Sequence, residues 1–394
     1  MRLTLRGARL VDVATDLLSG DITIEDGRIL AVGVAPDAPG RVVEASGLVV
    51  LPGFIDVHTH GGGGHNLHTT DPNEILAYAR WAPRTGVTAF LIGTVGVPGE
   101  VPESQLRAAA AAINAWPSGA GAGAEPLGIH LEGPYISPAR RGAHPLSWLR
   151  EPNPTETERI LALADGHLRL VTLAPELPGA HALIRSLVAA GVTASMGHTD
   201  ATYEQALEAI ALGVTHATHC CNAMRPLLHR DPGPLGAIAL SPGVSGELIA
   251  DGVHVHPAMA QVLIKMVGAE RIIIITDAQA GAGITDGAFE FAGQPVRVVG
   301  GAARLADGTL AGSVLTMDQA LRNACATLGA SLSAASGMLS RNPARSIRAD
   351  DRKGLLAPGY DADLALLDAQ LALCATFCRG TLAYASDEWA ALLG

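Results

Sequence analysis

The sequence predicts an α/β chain: a (β/α)8 barrel of the TIM type carrying a small β-sandwich made from its two ends. Three observations point there. Apolar strand-like runs alternate with Ala-rich helical runs between residues 53 and 277, eight strands in all, and such alternation implies a parallel sheet that eight units close into a barrel. Acid and imidazole side chains end those runs, on the side where barrel enzymes keep their chemistry. Short β-branched strands broken by Asp26-Gly27, Pro39-Gly40 and Ser46-Gly47 fill the start, and a like pattern returns over Leu355–Asp368, as expected of one β unit built from both termini.

In order, residues 1–51 form the first part of the β-sandwich, 52–354 the barrel and 355–394 the second part. Barrel strands are expected at Gly53–His60, Gly86–Val95, Leu127–Tyr135, Leu168–Glu176, Gly191–Thr199, Thr215–Cys221, Gly246–His254 and Arg271–Asp277. Helices are expected at 73–82, 103–115, 180–190, 202–212, 257–267 and 314–328, with an inserted hairpin over 287–312. A doubly wound open sheet is the rival. It is weaker because Gly61–Gly64 follow a His-x-His pair and do not form a Gly-x-Gly-x-x-Gly phosphate loop.

Composition narrows the function. The chain is 48% hydrophobic, enough to bury a large core, and its net charge of −11 weighs against nucleic-acid or anionic-membrane partners. No run is long enough to span a bilayer. Five scattered cysteines show neither zinc-knuckle nor disulfide spacing, which fits a reducing, cytoplasmic setting.

The chemistry lies at the strand ends. His58 and His60 are two apart and share a face, so both point into the barrel mouth as half of a metal site. Glu132 ends the third strand, followed by Gly133-Pro134 and no cation. His198 and His219 end the fifth and sixth strands. One acid and two histidines with a position left for water make a catalytic divalent-metal set. Asp277 ends the run Ile272–Ile275, where a carboxylate costs stability unless it is used. It can carry a proton or bind metal, and spacing does not separate the two. His144, in a loop above the third strand, is placed to polarise a carbonyl. Arg230 reads equally as a clamp for an anion, which a guanidinium matches, and as a solvated loop arginine. His130 and His216 read as core histidines, His216 on the face opposite the site.

The stretch Pro52-Gly-Phe-Ile-Asp-Val-His-Thr-His60 and the closing Pro358-Gly-Tyr-Asp-Ala-Asp-Leu364 resemble the amidohydrolase superfamily. Within it, His130-Leu-Glu-Gly-Pro-Tyr135, Arg141-Gly-Ala-His144, Gly197-His198-Thr199, Asn222-Ala-Met224 with His229-Arg-Asp-Pro-Gly233, Ala250-Asp-Gly-Val-His254 and Thr276-Asp277-Ala278 resemble the N-acetylglucosamine-6-phosphate deacetylase family. The resemblance implies hydrolysis of an acetamide on an amino sugar phosphate, with the metal on Glu132, His198 and His219 and with Asp277 as general base and then acid. It implies substrate contacts from Ala143, His144, Asn222, Ala223, Arg230, Asp251, His254, Leu310, Ala311 and Gly312, with Arg230 on the phosphate, and a homodimer. One or two ions are expected, zinc first, with iron, manganese or cobalt as alternatives; His58 and His60 make the second ion plausible. No lysine lies in the fourth strand, because Lys265 and Lys353 are the only two. That weighs against sites built on a carboxylated lysine. The rival function is another metal-dependent amidohydrolase, acting on an N-acyl amino acid, a cyclic amide or an aminated base. Cys220-Cys221 stands where the family places an aliphatic and then an aromatic residue.

Overall fold

The computed structural model describes residues 2–36, 39–116, 123–284 and 286–393. All eight expected barrel strands are present: Phe54–Asp56, Val87–Val95, Glu125–Glu132, Leu168–Leu173, Thr193–Met196, His216–Ala217, Ser245–Ile249 and Ile272–Ile275. They lie in one parallel sheet in strict chain order. The first and eighth strands meet through the segments at their C-terminal ends: Asp277 N donates to His58 O at 2.8 Å and His60 N to Ala278 O at 2.7 Å. Beneath, Thr276 Oγ1 donates to Asp56 Oδ2 at 2.6 Å. The barrel is therefore nearly closed, and the open doubly wound alternative is not what forms.

The strands are apolar throughout because both faces are covered. Every residue of Val87–Val95 and Ile272–Ile275 is buried. Helices fall where the 3.6-residue period placed them: Pro72–Trp81, Glu103–Ala115, Ala180–Ala189, Tyr203–Ala211, Pro257–Val267 and Met317–Ala326. Their starts reflect capping. Asp71 accepts from Asn73 N, and Thr202 and Gln205 complete a reciprocal capping box. The insertion after the eighth strand is one strand richer than a hairpin, with Gly287–Phe291, Gln294–Val299 and Ala302–Arg304 in one antiparallel sheet.

The chain ends meet in one mixed eight-stranded sheet. Val49–Pro52 pairs antiparallel with Leu364–Leu367, Leu51 opposite Ala365, and Arg2–Val11 pairs with Asp16–Glu25. Leu5, Leu10, Ile22, Ile29 and Phe377 give this sheet a core of its own. Val49–Pro52 then runs through Gly53 straight into the first barrel strand, and only glycine fits there, since a Cβ would lie 2.2 Å from Thr88 Oγ1. Buried Lys353 ties the return path: its Nζ reaches Asp363 at 2.6 Å, Glu125 at 2.8 Å and Asp361 at 2.9 Å.

Candidate functional site

The strand ends deliver their side chains to one place through strained backbone. His198, His219 and Asp277 adopt φ of 47°, 28° and 49°, a left-handed region that costs an L-residue on the order of 1–2 kcal/mol each. Such outliers persist where the surroundings hold them and gather at functional sites. The same turns explain why the strands stop short of the expected ends. Thr215–Cys221 shortens to His216–Ala217 because the backbone leaves the ladder at His219.

Two clusters result, each able to hold an ion: His58, His60 and Asp277, and Glu132, His198 and His219. Glu132 stands between them. Its Oε1 is 3.1 Å from both His198 Nε2 and His219 Nε2 and 3.5 Å from His58 Nε2, while its Oε2 is 3.2 Å from His60 Nε2. Asp277 Oδ1 lies 3.5 Å from His58 Nε2 and 3.4 Å from His60 Nε2. All six side chains are buried.

The arrangement fits cations. His198 Nε2 and His219 Nε2 converge at 3.0 Å, each also 3.1 Å from Glu132 Oε1, so two ring nitrogens and a carboxylate oxygen point at one spot, as ligands of one ion do. His58 Nε2 and both ring nitrogens of His60 are buried with no hydrogen-bond partner. The electrostatics agree. Burial alone would lower His58 and His60, yet the surrounding carboxylates push both up, His60 to about 9. Burial alone would raise Glu132 and Asp277, but the imidazoles, His58 foremost, hold both below the ordinary range. Two ions with nitrogen and oxygen ligands suit this donor set.

A cavity of about 210 Å³ opens above, with Glu132, His198, His219 and Asp277 in its lining. Ala143, His144, Asn222, Ala223, His254, Leu310 and Gly312 line it as well, and so does Phe291. His144 Nε2 is 3.4 Å from Glu132 Oε2. The inserted sheet holds the His144 loop, with Gln294 Nε2 donating to Ala143 O at 2.7 Å. Asp251 stands behind the wall, its Oδ2 2.6 Å from His254 Nδ1, and Ala311 is buried between its lining neighbours. Burial opposes protonation of His254, but Asp251 raises it above the ordinary histidine range. Arg230 is not brought to the wall. It is exposed, 2.7 Å from His229 Nε2, and no carboxylate among the described residues pairs with it. No arginine or lysine is among the described lining residues.

Two histidines and one acid complete the surroundings. His130 is a core residue as expected, its Nε2 2.8 Å from Thr172 Oγ1. His216 does not lie on the opposite face: its Nε2 is 2.9 Å from Glu247 Oε1, inside the barrel. Alternation counted from His219 misplaces it, because the turn at His219 breaks the register. Glu247 itself escapes a sequence reading. It is a lone acid in mid-strand, and mid-strand acids ordinarily face solvent. Phe291 escapes too, since nothing in the inserted strands marks which aromatic turns inward; its ring centroid is 5.0 Å from that of His60.

Comparison with known proteins gives the relatives. The amidohydrolase family matches residues 49–387. The N-acetylglucosamine-6-phosphate deacetylase of Bacillus subtilis (strain 168) is 37% identical over 98% of each chain. The N-acetylgalactosamine-6-phosphate deacetylase of Escherichia coli O157:H7 is 38% identical over 97% of this chain and all of its own. The solved structure of a Mycobacterium smegmatis N-acetyl-D-glucosamine-6-phosphate deacetylase variant, in complex with N-acetyl-D-glucosamine-6-phosphate, superposes with a TM-score of 0.89. It is 38% identical, over 97% of this chain and 99% of that one.

Proposed function

The chain belongs to the N-acetylglucosamine-6-phosphate deacetylase family within the amidohydrolases, and on that premise we propose how its residues split the acetamide of N-acetyl-D-glucosamine 6-phosphate into D-glucosamine 6-phosphate and acetate. The observation that carries the reading is the meeting of two buried three-residue clusters at Glu132 and Asp277, on the floor of a cavity lined by His144, Asn222 and His254.

Glu132, His198 and His219 would hold one divalent ion, and His58, His60 and Asp277 the second. Such ions, zinc first and iron, manganese or cobalt by the same donors, polarise a carbonyl and bring the pKa of water near neutrality. Asp277 takes the proton of the attacking water on its carboxylate and returns it to the sugar nitrogen as the C–N bond breaks. His144 donates from Nε2 to the acetamide oxygen as charge develops there. Glu132 keeps its charge, shared between the two clusters.

The sugar phosphate needs a cation that the floor does not offer. His254, whose protonated form Asp251 favours, would supply one from the wall. Arg230, exposed and unpaired with any described carboxylate, would supply the other, its guanidinium fit for a bidentate grip on phosphate. Ala143, Ala223, Leu310 and Gly312 shape the pocket around the ring, with Ala311 behind them. No helix among the described residues is long and apolar enough to cross a membrane, and we take the working form to be a cytoplasmic homodimer.

The test is acetate release from N-acetylglucosamine 6-phosphate, its galactosamine epimer and unphosphorylated N-acetylglucosamine, on protein of measured metal content. The expected order places the phosphorylated gluco sugar first. Arg230→Ala should raise KM for the phosphorylated sugar by about 10-fold or more, the loss of one charged hydrogen bond, and leave the unphosphorylated sugar unchanged. An equal loss on both substrates removes Arg230 from the phosphate.

A further inference from the structure

Glu247 is the deepest carboxylate at the site, and neither metal binding, proton transfer nor sugar recognition uses it. It sits in the seventh strand with no exposure, and no arginine or lysine among the described residues pairs with it. Its partners are the groups beneath the two clusters. Oε2 takes the Nδ1–H of His58 at 2.8 Å and the backbone N–H of His219 at 2.9 Å, and Oε1 lies 2.9 Å from His216 Nε2. A buried carboxylate held only by imidazoles and one backbone N–H, with no arginine or lysine beside it among the described residues, is costly, so the arrangement calls for a reason.

The four ring ligands differ in what stands behind them. His198 Nδ1 is backed by the carbonyl of Arg140 at 2.8 Å. His60 Nδ1 and His219 Nδ1 have no partner. His58 alone is backed by a carboxylate. A proton fixed on Nδ1 leaves the Nε2 lone pair free, and the negative charge behind the ring makes that lone pair more basic. His58 Nε2 is the unpartnered nitrogen facing Glu132 and Asp277.

We propose that Glu247 is a positioning residue for the second metal position: through His58 it fixes the ring tautomer and strengthens the ion held by His58, His60 and Asp277, while through the His219 N–H it only braces backbone beside the other ion. This role rests on the two-ion reading of the site. The predicted signature is asymmetric. In Glu247→Gln the amide oxygen can still accept from His58 and from His219 N–H, and the amide NH2 meets His216 Nε2, which accepts once the proton of that ring moves to its unpartnered Nδ1, so the shape is kept and the charge is lost.

The experiment strips wild type, Glu247→Gln, His60→Asn and the double variant of metal and titrates each with zinc, counting ions bound per chain and their dissociation constants. Wild type should take two. Glu247→Gln should keep one at wild-type affinity and weaken the other by about 10- to 100-fold, as loss of a partner behind a ligand does. His60→Asn should lose that same ion, and adding Glu247→Gln to it should change nothing further. Two ions at wild-type affinity in Glu247→Gln would overturn the inference alone, as would equal weakening of both. Wild type binding fewer than two ions would sink the two-ion reading and this with it. If Glu247→Gln does not fold, nitrogen NMR of zinc-loaded wild type decides: a proton on His58 Nδ1 supports the role, and one on Nε2 refutes it.

Discussion

Asp277 shows how one residue can be legible while its neighbours are not. A carboxylate closing four buried isoleucines is unfavourable unless it is used, so its place at the site can be read from the sequence. The histidines at 58, 60, 198 and 219 were legible for the same reason, each ending an apolar run. Glu247 was not, because its partners His58 and His219 lie 189 and 28 residues away and its own strand gives no sign of an inward polar face. The Asp277 backbone, at φ of 49°, aims the carboxylate at both His58 and His60. Asp277→Asn keeps that shape and removes the proton acceptor. Turnover should therefore fall by about 10²–10⁴, the range of a positioned acid–base, with kcat and kcat/KM falling together. A near-normal kcat would take the proton shuttle away from this residue.

At the scale of elements, the strand–helix alternation was readable because the barrel strands are buried on both faces and the amphipathic helices between them turn one apolar stripe inward. The gaps have local causes. Gly233–Leu240 is apolar on all sides and has no stripe to read, and Pro154–Leu163 announces itself only through Asn153 and Pro154 at its start. Close packing of the second strand on the first carries a prediction. Gly93 N donates to Thr59 O at 3.1 Å, and a Cβ on Gly93 would lie 2.1 Å from that oxygen and 3.0 Å from His60 Nδ1. Gly93→Ala must therefore push apart the strand and the His58-Thr59-His60 segment. Overpacking of this kind costs roughly 1–3 kcal/mol, and here it also moves His58 and His60, two of the proposed ligands. The variant should fold with a lowered Tm and bind one ion fewer than wild type; unchanged occupancy would mean that the second strand, and not the ligand segment, gives way.

Across the whole molecule, the meeting of the two ends was legible from their matching turn-rich strands, while the fastening between them was not. Lys353 was conspicuous only as one of two lysines. It lies buried against Glu125, Asp361 and Asp363, and Arg352 donates to Glu125 Oε1 at 2.7 Å from 227 residues away while also holding Asp361. Arg28 reaches Asp361 at 2.7 Å from the N-terminal strands. Three cations and three carboxylates thus join the terminal sheet to the start of the third barrel strand. Lys353→Met strips the cation from buried acids and should destabilise by about 3–5 kcal/mol, read from denaturant unfolding. At this junction the acid response comes from Glu125. Burial would raise its carboxyl, but Arg352 and Lys353 lower it from 4.5 to about 2. Between those values the unfolded chain binds a proton that the folded chain does not, so stability falls as pH drops through that window. Asp363 has the opposite sign, since burial raises it despite Lys353, and it adds nothing to the acid loss. Glu125→Gln should consequently be much less stable than wild type near neutrality, with the gap narrowing as pH falls from 4.5 toward 2. A gap that stays constant over that window would mean that packing at Glu125, and not its charge, joins the two halves.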